Sequence, residues 1–388
     1  MLLAFYATSQ NLTIVSSGGT SEGTTWSYSN GVITTISDTS VNASDVESYL
    51  ATGDLTIEAG NIWVNTNVNS TSANALALKS LGLVNLTNTY SITTAGGAVT
   101  FWADSDGSGA GYLQLGSSTG ITTAGGNITL GGGADIATGY ARGAAELDAE
   151  TDNVNQLHIS GVHLKNGASL SSGGGNITLR GQNYPSSVLT MDFGVMGHNA
   201  TLDAGSGKVA IIGKATGSGT SNTQAISVYG NGWTIRSSNS DADAIVLDGD
   251  GSGYNGTTTS MGINFTGIIE STGGGDIQLT GKSGTSTGYD HPLDMSGSIL
   301  ANSGTITITA ENNDATQFGL YLSGATFGFK AATNVTASTS NIILKSDNTV
   351  FNSATNLNTT GAVSLLPLDA STSFGVGQTI GSNMVLAS

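Results

Sequence analysis

Apolar and polar residues alternate along most of this chain, in short segments that each follow two or three small residues. Residues 124–130 read Ala-Gly-Gly-Asn-Ile-Thr-Leu, and residues 173–179 repeat the phrase as Gly-Gly-Gly-Asn-Ile-Thr-Leu. A period of two turns one side of a strand toward a core and the other toward solvent. Further copies occur at residues 95–101, 273–279 and 303–308. This self-similarity predicts a repeat architecture built from β-strands.

A second repeated phrase is a short alternating segment closed by glycine. Its copies recur every 27 to 37 residues, and they close at Gly161, Gly194, Gly230, Gly267, Gly297 and Gly324. Insertions in repeat proteins collect in the loops, so variable spacing between constant strands is typical of a solenoid. Residues 244–249 read as an extra copy, which leaves the register near residue 250 open.

Strands that recur once per turn pair most simply as parallel ladders, in which each coil contacts only its neighbours. A β-sandwich is the alternative, but it needs a hairpin turn every ~8–12 residues, and Asn-Gly turns are scarce in this sequence. We therefore predict an all-β chain folded as a right-handed parallel β-helix of roughly a dozen coils. Residues 1–50 are predicted to form N-terminal strands or the start of the solenoid, and residues 51–388 one continuous repeat domain.

The composition agrees with this fold and narrows the function. The chain has 57 glycines, which suit coil corners, and only 3 prolines, which strand ladders exclude. Ten basic and 27 acidic residues give a net charge of −17, which argues against nucleic acid and anionic lipid as partners. The absence of cysteine excludes disulfides, zinc–thiolate sites and thiol nucleophiles. No apolar stretch is long enough for membrane insertion.

Helical patterns are nearly absent from the sequence. The best candidate is residues 141–150, a segment that contains Gly143 and is rich in acidic residues. We interpret it as a solvated loop or a single helical turn inserted between two coils.

The Gly-Gly-Asn-Ile-Thr-Leu phrases, together with residues 53–62 and 359–365, resemble filamentous-haemagglutinin-type repeats. The resemblance covers roughly residues 50–365. Such repeats belong to large bacterial exoproteins and adhesins. The resemblance therefore implies a structural or adhesive shaft, extracellular or at the cell surface, with host or cell-surface glycans as candidate partners. The Asn-Pro-Asn motif of the family's secretion domain does not occur in this chain.

Two other functions remain as alternatives. The first is a carbohydrate-binding or carbohydrate-cleaving β-helix of the tailspike kind. The chain lacks the Asp-Asp, Gly-His-Gly and Arg-Ile-Lys phrases of pectinase-like enzymes, so we expect no enzyme activity. The second is a threonine array that binds ice or another surface, suggested by Ile-Thr-Thr at residues 33–35, 92–94 and 121–123. The irregular repeat spacing argues against the flat face that such an array needs.

Calcium is the one cofactor that the sequence suggests. Residues 104–109 and 248–253 share the pattern Asp-x-Asp-Gly-Ser-Gly, which begins like an EF-hand loop. The candidate ligands are Asp104, Asp106, Asp248 and Asp250. The twelfth positions are Leu115 and Thr259, where an EF-hand has glutamate. A pair of related turns without metal is therefore the alternative, because turns also select Asp and Gly.

Four tyrosines directly follow a glycine in a predicted loop: Tyr112, Tyr140, Tyr254 and Tyr289. A row of such rings along one edge of a solenoid would form a carbohydrate-binding platform. The alternative is that each ring covers the loop of the neighbouring coil and leaves only its hydroxyl in water.

The two ends of the predicted solenoid lack a polar cap. Residues 1–7 are apolar, and the last thirty residues carry one charge, that of Asp369. An uncapped strand edge is a template for pairing with another chain. We therefore expect end-to-end self-association, or continuation of the same helix in a longer protein.

Overall fold

The computed structural model describes residues 10–143, 150–151, 157–184, 191–218, 222–229, 232–286, 288, 290–313, 319–331, 334–352, 355–368 and 385–386. Within these ranges the chain forms 39 β-strands and one α-helix. The strands make three long sheets, which we call sheet A (13 strands), sheet B (14 strands) and sheet C (12 strands). Each sheet is built from strands that lie far apart in the sequence, and nearly all neighbours are parallel.

The N-terminal region differs from the rest of the chain. Its elements are β1 (Leu12–Val15), β2 (Trp26–Ser29), β3 (Val32–Thr35), β4 (Thr39–Asn42) and α1 (Ala43–Leu50). Strand β1 lies between β4 and the first coil in sheet A, and β2 pairs with β3 as an antiparallel hairpin at the edge of sheet B.

Ten complete coils follow, and each gives one strand to sheet B, then one to sheet A, then one to sheet C. Their strands are, in coils 1 to 5, β5 (Leu55–Ala59), β6 (Ile62–Val64), β7 (Val68–Asn69); β8 (Leu76–Ser80), β9 (Val84–Leu86), β10 (Ser91–Thr93); β11 (Val99–Ala103), β12 (Leu113–Leu115), β13 (Gly120–Thr122); β14 (Ile128–Gly132), β17 (Leu157–Leu164), β18 (Ser169–Ser171); β19 (Ile177–Gln182), β20 (Met191–His198), β21 (Thr201–Asp203). Two short strands, β15 (Ala141–Arg142) and β16 (Glu150–Thr151), lie in the connection within coil 4.

Coils 6 to 10 continue the same order. Their strands are β22 (Val209–Gly217), β23 (Asn222–Tyr229), β24 (Trp233–Ser237); β25 (Ile245–Tyr254), β26 (Ser260–Phe265), β27 (Gly267–Ser271); β28 (Ile277–Lys282), β29 (Asp290–Met295), β30 (Ser298–Ala301); β31 (Ile306–Glu311), β32 (Leu320–Ser323), β33 (Thr326–Ala331); β35 (Ile342–Lys345), β36 (Thr349–Asn352), β37 (Asn356–Leu357). Strand β34 (Asn334–Thr336) forms a hairpin with β33, β38 (Val363–Leu366) extends sheet B, and β39 (Val385–Leu386) pairs with β37.

The core is a set of apolar columns that run along the solenoid. In sheet B, Ile177 pairs with Val209, Val209 with Ile245, and Ile245 with Ile277, and all four are fully buried. Sheets A and C carry equivalent columns, for example Val195, Ile226 and Ile263 in sheet A. The predicted all-β parallel β-helix is confirmed. Ten coils stacked ~4.8 Å apart give a rod about 50 Å long.

The repeated glycine phrase marks the corner between sheets C and B. A Cβ built on Gly175 would overlap the carbonyl oxygen of Gly126, and one on Gly207 would overlap that of Gly175. Only glycine lets consecutive coils approach this closely at that corner. The asparagine that follows has a role of its own, because Asn176 N donates to Asn127 Oδ1 (2.8 Å) and Lys208 N donates to Asn176 Oδ1 (2.9 Å). The phrase thus joins neighbouring coils through both backbone contact and an amide ladder.

The second threonine of each Ile-Thr-Thr copy faces inward. Thr35, Thr94 and Thr123 are buried. At the same corner, Thr94 Oγ1 donates to the carbonyl of Gly97 (2.5 Å), and Thr123 Oγ1 donates to that of Gly126. These hydroxyls satisfy buried carbonyl groups, so they are not part of an exposed threonine array.

The closing glycines of the second phrase belong to two different corners, which corrects the single period inferred from them. Gly161 and Gly194 lie within β17 and β20 of sheet A, whereas Gly267 opens β27 of sheet C. The true repeat in sheet A runs from Val162 to Val195. The extra copy at residues 244–249 is also explained, because Ile245 pairs with Ile277 in sheet B.

Helix α1 was not expected, and it closes the core at the N-terminal side. It follows β4, where a sheet C strand would otherwise stand, and it packs against β7. Its buried residues are Ala43, Val46 and Leu50, and the carbonyl of Leu50 accepts hydrogen bonds from Ser72 and Asn74 of the first coil. The expectation that this end is uncapped is therefore wrong. The predicted helical candidate at 141–150 begins with the strand β15, and residues 144–149 lie outside the described ranges.

Candidate functional site

The outer face of sheet B carries an unusual set of charged side chains in coils 5 to 9. Arg180 pairs with Ile212, Ile212 with Asp248, and Asp248 with Thr280. These residues alternate with buried ones, so they share the outward side of consecutive strands. Because strands in a sheet lie ~4.8 Å apart, Arg180 and Asp248 are about 10 Å apart at their Cα atoms.

A second outward column runs two residues further along the same strands, listed here in register from coil 5 to coil 9: Gln182, Lys214, Asp250, Lys282 and Glu311. Positive and negative side chains alternate in it. Together with Tyr140, we call Arg180, Lys214, Asp248, Asp250, Lys282 and Glu311 the charged surface.

The connection at residues 133–140 brings Tyr140 to this surface. Gly131 leaves a gap in the outer column, and Ile136 lies over it, with its Cδ1 3.2 Å from where a Gly131 Cβ would stand. Asp135 fixes the connection by accepting hydrogen bonds from Ala137 N (3.0 Å) and Thr138 Oγ1 (2.9 Å). Ala141 then pairs with Gly181, which places the preceding residue, Tyr140, beside Arg180.

The electrostatic environment of the Tyr140 hydroxyl agrees with that placement. Burial raises the pKa of Tyr140, the Asp248 carboxylate raises that pKa further, and the Arg180 guanidinium opposes both effects. The hydroxyl of Tyr140 therefore lies within electrostatic reach of both Arg180 and Asp248. The side chain is half-buried, so part of it remains in contact with solvent.

Three members of the charged surface, Asp250, Lys282 and Glu311, are already engaged. Lys282 Nζ lies 2.9 Å from Glu311 Oε2, and this hydrogen bond raises the pKa of Lys282. Asp250 Oδ1 accepts hydrogen bonds from Ser252 N (3.0 Å) and Ser252 Oγ (2.5 Å). These contacts hold the coil 7 to coil 9 side of the surface in place.

The other members are available to a ligand. Within the described part of the chain, the side chains of Tyr140, Arg180, Lys214 and Asp248 form no hydrogen bond or ion pair. Burial raises the pKa of Asp248, the Lys282 ammonium opposes this effect, and the Asp250 carboxylate adds to it. Asp248, a half-buried carboxylate of raised pKa, lies in the same outward column as the unpaired guanidinium of Arg180. Charged groups with shifted pKa values are often found at binding sites.

The two predicted calcium phrases have different structures. Asp104 is buried, and its Oδ1 accepts hydrogen bonds from Gly109 N (2.8 Å), Ser108 Oγ (3.1 Å) and Ala110 N (3.2 Å). It thus holds its own loop closed. Asp106 is exposed and accepts a hydrogen bond from Ser108 N (3.2 Å). An internal loop-closing role therefore accounts for this copy of the phrase.

The second copy is not a loop. Asp248 and Asp250 lie within β25. Asp104 directly follows β11, which lies four coils away from β25. The structure therefore does not bring the two pairs together. Among the described residues, no group of three or more His, Asp or Glu side chains has the geometry of a metal site.

The predicted tyrosine platform is wrong for the two rings that lie in the core. Tyr112 is 6% exposed and Tyr254 is 1% exposed, and Tyr254 Oη lies 2.9 Å from Thr258 Oγ1. Tyr140 remains accessible. Tyr289 lies outside the described residues.

Sequence reasoning missed Arg180 and Lys214 as candidate site residues, although a signal for them exists. The glycine phrase continues as Leu179-Arg180-Gly181 in one coil and as Leu247-Asp248-Gly249 in another. Extending the alignment of the repeats by one residue beyond Leu179 and Leu247 would place Arg180 and Asp248 in the same outward column.

Comparisons of the chain with models of protein families, with curated proteins and with solved structures find no match. The resemblance to filamentous-haemagglutinin-type repeats therefore depends on the repeat phrases alone. Among the described residues, no helix has the length and apolar character needed to cross a bilayer.

Proposed function

We propose that this chain is a structural and adhesive β-helix shaft of a bacterial surface exoprotein, extracellular or at the cell surface. The observation that carries the proposal is the stacking of ten coils, whose described strands pair into three long parallel sheets and form a rod about 50 Å long. A solenoid of this kind displays a long lateral surface at fixed spacing, and repeat proteins use such extended surfaces for binding.

The distribution of polar groups supports an adhesive role for the side of the rod. The outward positions of β19, β22 and β25 in sheet B carry four charged side chains. Three of them, Arg180, Lys214 and Asp248, form no hydrogen bond or ion pair within the described residues. Unpaired Arg and Tyr side chains at the centre of an exposed face are typical of binding hot spots. We propose glycans of a host or of a cell surface as the partners of this face.

The proposal is tested by a cell-adhesion assay in which the chain and the empty display anchor are presented at matched levels. The chain is presented on the surface of non-adherent bacterial cells, and adhesion to glycan-bearing epithelial monolayers is compared with that of cells carrying the empty display anchor. The proposal expects several-fold greater adhesion for the displayed chain, and a reduction of that adhesion after enzymatic removal of the monolayer's glycans. Equal adhesion of the two cell types would contradict the adhesive part of the proposal.

Carbohydrate cleavage is the second candidate function. Asp248 and Asp250 project from the same side of β25, about 7 Å apart along the strand, and glycosidases use carboxylate pairs at similar separations. Binding is the better supported function, because the Asp250 carboxylate is already held by Ser252. Release of reducing sugar from bound polysaccharide, abolished by Asp248→Asn, would favour cleavage.

End-to-end association remains a proposal for one end of the rod. Helix α1 occupies the sheet C position at the N-terminal side, so the sheet C ladder of the described residues ends at β7. At the opposite side, β38 is the last strand of sheet B on the described path, and Leu366 and Leu368 are 41% and 36% exposed. We propose that association through this end joins two rods rather than building a filament.

A further inference from the structure

The charged surface has a bipolar arrangement. Its unpaired cations, Arg180 and Lys214, lie on coils 5 and 6, and its unpaired carboxylate, Asp248, lies on coil 7. The Lys282–Glu311 ion pair on coils 8 and 9 is internally neutralised. A ligand that complements this surface therefore carries a negative group at one end and hydrogen-bond donors at the other.

Arg180 determines the kind of negative group. A guanidinium presents a planar fork of N–H donors, which matches the two oxygens of a carboxylate. No residue of the described chain forms a hydrogen bond or ion pair with that fork. Its neighbour on the coil 4 side is Gly131, which is covered by the apolar side chain of Ile136. Lys214 adds a second positive charge on the adjoining coil.

Asp248 and Tyr140 determine the rest of the ligand. The Asp248 carboxylate accepts hydrogen bonds from hydroxyl groups, and the Tyr140 hydroxyl both donates and accepts. The half-buried Tyr140 ring also offers an apolar face, and the apolar Ile212 separates Arg180 from Asp248 in the column. Sugar rings have hydroxyl groups at their edges and apolar C–H faces.

We propose that the charged surface binds an acidic sugar, with the sugar's carboxylate on Arg180 and Lys214 and its hydroxyl groups on Asp248 and Tyr140. This proposal rests on the adhesive function proposed above and names the class of glycan that the shaft recognises. In a molecule of net charge −17, only a local cluster of cations can hold an acidic ligand, and these two residues form such a cluster.

The test measures binding of single sugars to the purified chain by titration calorimetry and saturation-transfer NMR. The probes are glucuronate, galacturonate, mannuronate and N-acetylneuraminate, each compared with a neutral hexose, together with galactose 6-sulfate. At least one acidic sugar should bind tenfold or more tightly than its neutral counterpart. Binding of no acidic sugar above the neutral ones would overturn the proposal, as would equal binding of the sulfate ester, whose acid group is not planar.

Three variants locate the site. Arg180→Ala should lower the affinity for the acidic sugar at least tenfold, and Arg180→Lys should also lower it, because lysine keeps the charge but loses the fork. Lys345→Ala is the matched control, since Lys345 lies in the same outward column on coil 10, and it should bind as the wild type does. Equal losses in Arg180→Ala and Lys345→Ala would show unspecific attraction and refute the site.

The sugar comparison uses only the wild-type chain, so it decides the question even if a variant fails to fold. Its result also separates this inference from the adhesive function. Adhesion without a preference for acidic sugars would overturn the inference and leave the proposed function intact. If the purified chain binds an acidic sugar but the displaying cells do not adhere, the adhesive function is overturned and the inference of a sugar site is left intact.

Discussion

The indole of Trp233 lies directly against the backbone of Gly197. A Cβ built on Gly197 would come within 2.5 Å of Cε2 and Cζ2 of the Trp233 ring. Trp233 is 1% exposed, so its ring cannot move aside into solvent. The small residue in sheet A and the large residue in sheet C thus depend on each other.

Gly197→Ala should therefore lower the free energy of unfolding by about 1–3 kcal/mol, as is usual for overpacking. Gly53→Ala is the control, because a Cβ on Gly53 meets no atom within 4 Å. Urea denaturation followed by tryptophan fluorescence measures both variants. Equal stability of the two would show that the coil 5 to coil 6 contact is looser than described.

Asp104→Ala should destabilise the chain by about 1–3 kcal/mol, because it leaves several loop N–H and O–H donors without their acceptor. Asp106→Ala, at an exposed position of the same loop, should have little effect. Thermal midpoints of the wild type should be the same with excess calcium and with chelator. A calcium-dependent rise that Asp104→Ala abolishes would instead restore the predicted metal site, since a ligand of the native state must stabilise it.

Asp248→Asn should raise the stability of the chain at neutral pH. Folding raises the pKa of Asp248 above its ordinary value of 3.8, so the ionised form is disfavoured in the folded state. The protonated Asp248 carboxyl contributes to stability below the pKa that this group has in the unfolded chain. This contribution is lost as the pH rises through the higher pKa of the same group in the folded chain. The gain from Asp248→Asn should therefore vanish in acid. Asp106→Asn is the control, and the same gain in both variants would point to general charge repulsion.

Tyr49 should make the N-terminal region sensitive to alkali. Burial and the hydrogen bond to Glu22 Oε2 (2.9 Å) raise the pKa of Tyr49 from 10.0 to about 12. Stability from this group is present below pH 10.0 and is lost as the pH rises toward about 12. Absorbance at the phenolate band should show a late ionisation near pH 12, and Tyr49→Phe should remove this component. A titration unchanged by Tyr49→Phe would assign the late step to another ring.

Release of α1 should expose the edge of the first coil. Val46→Asp combined with Leu50→Asp places two charges at buried positions of the helix, and light scattering should then report larger particles, because β7 gains a free edge. The double variant Ser44→Asp, Ser48→Asp adds the same charge on the exposed side of α1 and should scatter as the wild type does. Growth in both variants would mean that charge, not the covered edge, controls association.

Much of the fold could be predicted because the same physical demand recurs in every coil. Ile177, Ile277 and Ile306 occupy one column and face the same apolar environment, so the sequence repeats there. Helix α1 occurs once and has no second copy to align. Its only signal in the sequence is the spacing of Ala43, Val46 and Leu50. A pattern of three apolar residues is easily missed among many strands.

The candidate site was harder to predict, because it arises from contacts between coils. Arg180 and Asp248 are 68 positions apart in the sequence, and only the register of sheet B brings them to one column. Tyr140 arrives there through an insertion specific to coil 4. The prediction was wrong for Tyr112 and Tyr254, because a glycine before a ring does not reveal whether the ring turns inward.

The pairing between coils also determines how the rod responds to tension. Hydrogen bonds such as those between β22 and β25 run along the long axis of the solenoid, because neighbouring strands belong to successive coils. A pulling force along that axis loads all the coils in series, so their ladders break one coil after another. The rod should therefore lengthen in discrete steps, each releasing about 100 Å of chain for a coil of ~30 residues, and it should yield gradually before it breaks.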